Sequence, residues 1–194
     1  TTAAGYRQLL EWMSEFGQVV LVGVEGTGSY GAGLSRFLHR QGVSVVEVDR
    51  PNRQRRRLAG KSDPIDAISA ARAALGGTAN GAAKTRDGNV EAIRVLRVAK
   101  ISAHKARTQA INQIHSLVCT APDELRDKLR GLSTPDLIAA CAGLRPGTSG
   151  EVTAATKTTL RALARRVHHL DAEIADLEAL IRPIVTATAP ALLA

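Results

Sequence analysis

Apolar side chains at Tyr6, Leu9, Leu10, Met13 and Phe16 recur at spacings of three and four, which predicts an amphipathic helix stopped by Gly17. The largely apolar run Gln18 to Glu25 reads as a strand, Ala32 to Arg40 as a helix closed by Gly42, and Val43 to Asp49 as a second buried strand. Strand, helix and strand in so short a span predict a right-handed parallel crossover, so the front of the chain is α/β.

Beyond Asp49 the strand pattern stops. Arg50 to Lys61 reads as a basic connection, Asp63 to Leu75 as a helix, Gly76 to Ala83 as a Gly-rich loop, and about Asp87 to Thr120 as a long helix. Short helices are expected around Asp123 and Pro135. In the last segment Leu160, Leu163, Val167, Leu170, Ile174, Leu177, Ile181 and Ile184 form an unbroken seam alternating three and four, the spacing of a coiled coil, with Pro183 expected to end it. Two partners for this seam remain open. Val167, Ile174 and Ile181 at one position and Leu163, Leu170 and Leu177 at the other suit a parallel dimer, but Glu173 would then meet Glu178 of its twin. A hairpin with the helix at 87–120 avoids that. Both ends of the chain read as cut: it opens inside a helix with no strand before it and stops on the apolar Pro190 to Ala194. A fragment, or a chain completed by a partner, is expected.

Composition adds three constraints. The five aromatics (Tyr6, Trp12, Phe16, Tyr30, Phe37) all precede residue 40, so the second half must pack with Ala, Leu, Val and Ile, as helices do. Cys119 and Cys141 have no CxxC spacing or His partner, so neither a zinc site nor a disulfide framework is indicated, and a reducing cytoplasm is the expected location. No apolar run approaches a spanning length, so no membrane partner is expected.

Charge is uneven. The net +8 is concentrated in residues 51–110, which carry 13 basic and 4 acidic side chains, while residues 111–194 carry 9 of each. Clustered Lys and Arg suit a polyanion, because neutralised phosphates release counterions. The candidates for phosphate contact are Arg53, Arg55, Arg56, Arg57 and Lys61, then Lys84, Arg86, Arg94, Arg97, Lys100, Lys105 and Arg107 on or just before the long helix. Such contacts position a nucleic acid rather than read its bases. Sparse aromatics argue against a stacking platform for single strands.

The carboxylates carry the candidate chemistry. Glu25 ends a buried strand, where a charge is costly unless paired or metal-bound, and Asp63 and Asp66 stand three apart at a helix start. If they converge they make a hard-oxygen site suited to Mg²⁺, with Mn²⁺ able to substitute. Asp63 as N-cap, Pro64 at the first helical position and Asp66 favoured by the helix dipole would explain the same residues without a metal. The Gly26-x-Gly28-x-x-Gly31 spacing with Asp49 fits a dinucleotide fingerprint, but Glu25 sets a carboxylate beside the would-be pyrophosphate and the remainder is poor in strands. A serine nucleophile elbow centred on Ser29 fails, since Thr27 stands where glycine is required. The five histidines show no i,i+4 pair and read as surface or packing residues.

Val24-Glu25-Gly26-Thr27-Gly28-Ser29-Tyr30-Gly31, Val45-Val46-Glu47-Val48-Asp49-Arg50-Pro51 and Gly60-Lys61-Ser62-Asp63-Pro64-Ile65-Asp66-Ala67, in that order, resemble the insertion-sequence one-ten family of DEDD transposases. Arg107 to Gln113 and Ala162 to Val167 are similar to its helical segment. The resemblance implies an α/β, truncated RNase H-like (RuvC-like) catalytic domain over 1–83, followed by a helical coiled-coil region over 84–194. It implies Mg²⁺-dependent strand exchange of an insertion sequence, with Glu25, Asp63 and Asp66 matching the second, third and fourth acids as catalytic and metal-binding residues. The family's first acid, on an opening strand, and its C-terminal serine domain have no counterpart here, so the chain by itself is expected to be inactive. DNA, a structured guide RNA and a homo-oligomer through the coiled coil are the implied partners. Two other readings stay open: a non-catalytic nucleic-acid-binding and dimerisation module, and a dinucleotide-binding enzyme.

Overall fold

A computed structural model describes residues 2–48, 63–79, 81–147 and 150–192. The chain forms two compact units, Thr1–Asp87 and Gly88–Ala194.

The first unit opens with α1, Ala3–Ser14, capped by the Thr2 hydroxyl, which accepts from the Gly5 N–H at 3.2 Å. Then come β1 (Leu21–Glu25), α2 (Ala32–Arg40) and β2 (Ser44–Val48), with β1 and β2 parallel from Leu21↔Ser44 to Glu25↔Val48. α3 spans Asp63–Leu75. The expected Gly76–Ala83 loop contains a strand instead: β3, Gly81–Ala82, pairs antiparallel with β2 through Val46↔Ala82 and Glu47↔Gly81, giving the order β1-β2-β3. Two residues with almost no side chain carry no hydrophobic period. Backbone hydrogen bonding to the open edge of β2 makes them a strand.

Strand pleating sorts the two faces. Val22, Val24, Val43 and Val45 pack with Leu34, Phe37 and Leu38 of α2 and Leu10 and Met13 of α1. Gly23 points the other way, and a Cβ there would lie 2.7 Å from the Ala70 carbonyl oxygen and 3.2 Å from the Ala74 Cβ. The missing side chain at Gly23 is what lets α3 lie on β1.

The second unit is helical: α4 (Gly88–Cys119), α5 (Asp123–Leu129), α6 (Thr134–Ala142) and α7 (Glu151–Thr188), then a 3-10 turn at Pro190–Leu192. The seam of α7 turns onto α4 of the same chain. Lys100 Nζ donates to Glu178 and Arg107 Nε to Asp171, so seven residues forward on α4 are seven back on α7 and the helices run antiparallel. Ala99, Ala103, Ala106 and Ala110 line α4 at alternating spacings of four and three, with Ala103 and Ala110 buried. Small residues there admit the bulky Val, Leu and Ile of α7. At the closed end Ile114, Val118, Leu125, Leu129, Leu137, Ile138, Cys141, Leu160, Ala164 and Val167 form one core. Both cysteines are free, and burial pushes the Cys141 thiol up from its ordinary value.

Pro183 does not end α7, which continues to Thr188. Ala179, whose carbonyl would have received the missing N–H, and Pro183 are both exposed, so water can satisfy the freed acceptor.

The hydrogen bond from Lys100, and then its charge, hold the Glu178 carboxyl below its ordinary value. A carboxyl depressed in the folded state adds stability that is fully present above its unfolded value and is lost as pH falls through its folded value. Glu178→Gln is therefore expected to lower the melting temperature slightly at neutral pH, the gap to the wild type closing as the medium is acidified through the carboxylate range. A gap independent of pH in thermal unfolding would assign the effect to packing.

Candidate functional site

β1 ends on Glu25, and the loop that follows turns sharply: Gly26 has φ +67°, and its carbonyl accepts from the N–H groups of Ser29 at 2.8 Å and Gly31 at 3.1 Å. Gly31 lets α2 begin directly beside β1, since a Cβ there would lie 2.6 Å from the Glu25 carbonyl oxygen. Strand alternation puts Glu25 on the same sheet face as Gly23, the face that α3 covers. On α3, Asp66, Ala70 and Ala74 stand at i, i+4 and i+8, so Asp66 lies on the side that meets β1. Glu25 and Asp66 are each half-buried. Asp63 is the first residue of α3, one turn before Asp66. Among the described residues no group of three His, Cys, Asp or Glu side chains is placed to hold a metal ion.

Thr27 is wholly buried (0% exposed) and ties three segments together. Its hydroxyl donates to Glu47 Oε2 at 2.7 Å and accepts from the Lys84 backbone N–H at 3.0 Å. Sequence reasoning did not select Thr27 or Glu47. The argument applied to Glu25, a charge in an apolar strand, applies equally to Glu47 between Val46 and Val48 and would have found it. Thr27→Val leaves the Lys84 N–H and the Glu47 carboxylate without this partner, so a loss of about 2 kcal/mol is expected in chemical denaturation. Thr27→Ser keeps the hydroxyl and should retain most of that stability.

Lys84 and Arg86 belong to the connection 83–87 rather than to α4. The Arg86 guanidinium donates to the Gly28 carbonyl, and the Arg86 backbone has φ +53°, a left-handed conformation costly for any residue that carries a Cβ. Gly26, Gly28, Ser29, Glu47, Val48, Lys84 and Arg86 line an open cavity of about 300 Å³. It lies at the carboxyl ends of the parallel strands, where open α/β sheets place their ligands. On the same loop Tyr30 is almost fully exposed (96%).

The other predicted cations divide. Arg53, Arg55, Arg56, Arg57 and Lys61 lie outside the described residues, as does Asp49. Arg94 is held by Glu91 on its own helix, at 2.6 Å. Lys100 and Arg107 are engaged by α7, so their charge fastens the hairpin, while Arg97 and Lys105 stand exposed. Among the described residues no helix is long and apolar enough to cross a membrane.

A family model described as a transposase, of the IS110 DEDD type, matches residues 1–121. No curated protein and no solved structure matches the chain.

Proposed function

The chain belongs to the IS110 family of DEDD transposases, and from that premise we propose that it is the metal-binding and nucleic-acid-holding part of a DNA strand-exchange enzyme, built on an RNase H-like domain over 1–83. The supporting observation is the shared layer between β1 and α3, with Glu25 on the α3 side of the strand and Asp66 on the β1 side of the helix. Asp63, the first residue of α3, is the third carboxylate by its match to the family's motif. Hard carboxylate oxygens fit Mg²⁺, with Mn²⁺ able to substitute. When bound, the ion would supply charge stabilisation for a transferring phosphate. The chain's own residues do the holding: Lys84 and Arg86 offer cations beside the glycine loop, and the sequence supplies further cations for DNA and a structured guide RNA between Arg53 and Lys61.

Oligomer formation is part of this reading. The α7 seam is taken up within the chain, and among the exposed apolar residues Val95, Val98 and Ile101 of α4 and Leu180 of α7 are the surface we assign to a second copy.

Mn²⁺ titration followed by paramagnetic broadening of amide signals tests the metal site. Broadening centred on residues 25, 63 and 66, reversed by Mg²⁺ and weakened by Glu25→Gln and Asp66→Asn, is the expected result. If those substitutions change only thermal stability, Asp63 and Asp66 serve to cap α3, and the chain is a binding module. Its nucleic-acid affinity should then still fall steeply with salt.

A further inference from the structure

A second cavity, of about 450 Å³, lies on the other side of the 83–87 connection, lined by Ser35, Arg36, His39, Arg40, Val45, Ala82, Ala83, Thr85 and Asp87. Along 83–87 the side chains alternate: Ala83, Thr85 and Asp87 line this cavity, while Lys84 and Arg86 line the one beside the glycine loop. We propose that the second cavity holds one nucleotide of a bound nucleic-acid strand, its phosphate on Arg36 and Arg40 and its base against Val45, Ala82 and Ala83. The inference rests on the nucleic-acid reading above and adds a site to it.

The lining has the chemistry of a nucleoside monophosphate rather than of a bare anion. Arg36, His39 and Arg40 stand at i, i+3 and i+4 on one face of α2, so two guanidiniums and an imidazole gather at one rim. The two guanidiniums are already placed: Arg36 Nη1 donates to the Arg86 carbonyl at 3.3 Å, and Arg40 Nε donates to the Arg36 carbonyl at 3.3 Å. Opposite them the wall is apolar, suited to the flat face of a base. Ser35 is 3% exposed and lines the cavity, so its side chain sits at the cavity floor. Asp87 supplies an acceptor for the amino or imino hydrogens of a base and disfavours a polyphosphate, which carries more negative charge than two arginines offset. The shared rim through the Arg86 carbonyl makes the two cavities neighbours along one path. A strand could pass from Lys84 and Arg86 to Arg36 and Arg40.

The test is an amide chemical-shift titration of the full chain with three probes: inorganic phosphate, adenosine monophosphate and a short single-stranded oligonucleotide. Expected are shifts at Ser35, His39, Ala83 and Thr85 with the mononucleotide and the oligonucleotide, the latter binding more tightly, and none with phosphate at equal concentration. Arg36→Ser with Arg40→Ser should weaken mononucleotide binding at least about tenfold through lost charge-assisted hydrogen bonds. Ala83→Leu, which crowds the apolar wall and leaves every charge in place, should do the same. Equal shifts with phosphate alone would overturn the base-holding half of the proposal. No shifts at these residues, or shifts that survive both variants, would overturn all of it. A tighter response to the mononucleotide than to the oligonucleotide would instead assign the site to a free nucleotide and overturn the strand. Salt-sensitive oligonucleotide binding that both variants leave unchanged places the nucleic acid elsewhere and spares the broader reading. Absence of any oligonucleotide binding by the wild type removes that reading too.

Discussion

Leu160→Ala is expected to destabilise the second unit by about 4 kcal/mol, towards the upper part of the range for emptying a fully enclosed leucine site. Leu160 is 0% exposed on α7 and belongs to the core shared with Ile114 and Val118 of α4 and Leu137 and Cys141 of α6. Two helices, α4 and α6, close over it, so the walls have little freedom to collapse into the space. Chemical denaturation should show a lower midpoint with an unchanged slope. Leu160→Met, close in volume and flexible, should cost less than about 1.5 kcal/mol. A loss below about 1 kcal/mol for the alanine variant would mean that α7 leaves α4 and packs on something else in solution.

Gly23→Val is expected to cost about 3 kcal/mol and to remove metal binding as well. The new side chain would press on the Ala70 carbonyl, and backbone within a helix cannot step aside as a side-chain tip can. The relief available is for α3 to move away from β1, carrying Asp66 with it. Gly131→Ala, where nothing lies within 4 Å of the added Cβ, should change stability by less than about 0.5 kcal/mol. If Gly23→Val lost stability but kept its Mn²⁺ response, the carboxylates would not depend on the β1–α3 layer. The proposed site would then have to be placed elsewhere.

The two substitutions probe features that differ in how far the sequence disclosed them. The α7 seam was plain in the sequence, because eight apolar residues at alternating spacings of three and four leave no other regular structure. Gly23 carried a weaker signal, a glycine inside an apolar strand, which marks close backbone approach without saying what approaches. The partner in each case is a separate matter. The seam suited a parallel twin or an in-chain hairpin equally by period, and the choice fell to the Ala row on α4 and to the ion pairs Lys100–Glu178 and Arg107–Asp171, which join residues far apart in sequence.

By itself the sequence determined the helices at 3–14, 32–40 and 63–75, the β1-α2-β2 unit, the two long helices and the glycine loop after Glu25, because capping, period and glycine conformation act over a few residues. Only the tertiary structure decided that Gly81–Ala82 is a strand, that α7 runs through Pro183 to Thr188, and that Thr27 joins Glu47 to the Lys84 backbone. It also placed Lys84 and Arg86 beside the glycine loop, and it engaged Lys100 and Arg107 within the hairpin. Each of these depends on what lies across from a residue, whether an open strand edge, a solvent-facing carbonyl or a buried acceptor. Such neighbours are set by how distant segments pack, and local pattern holds no record of them.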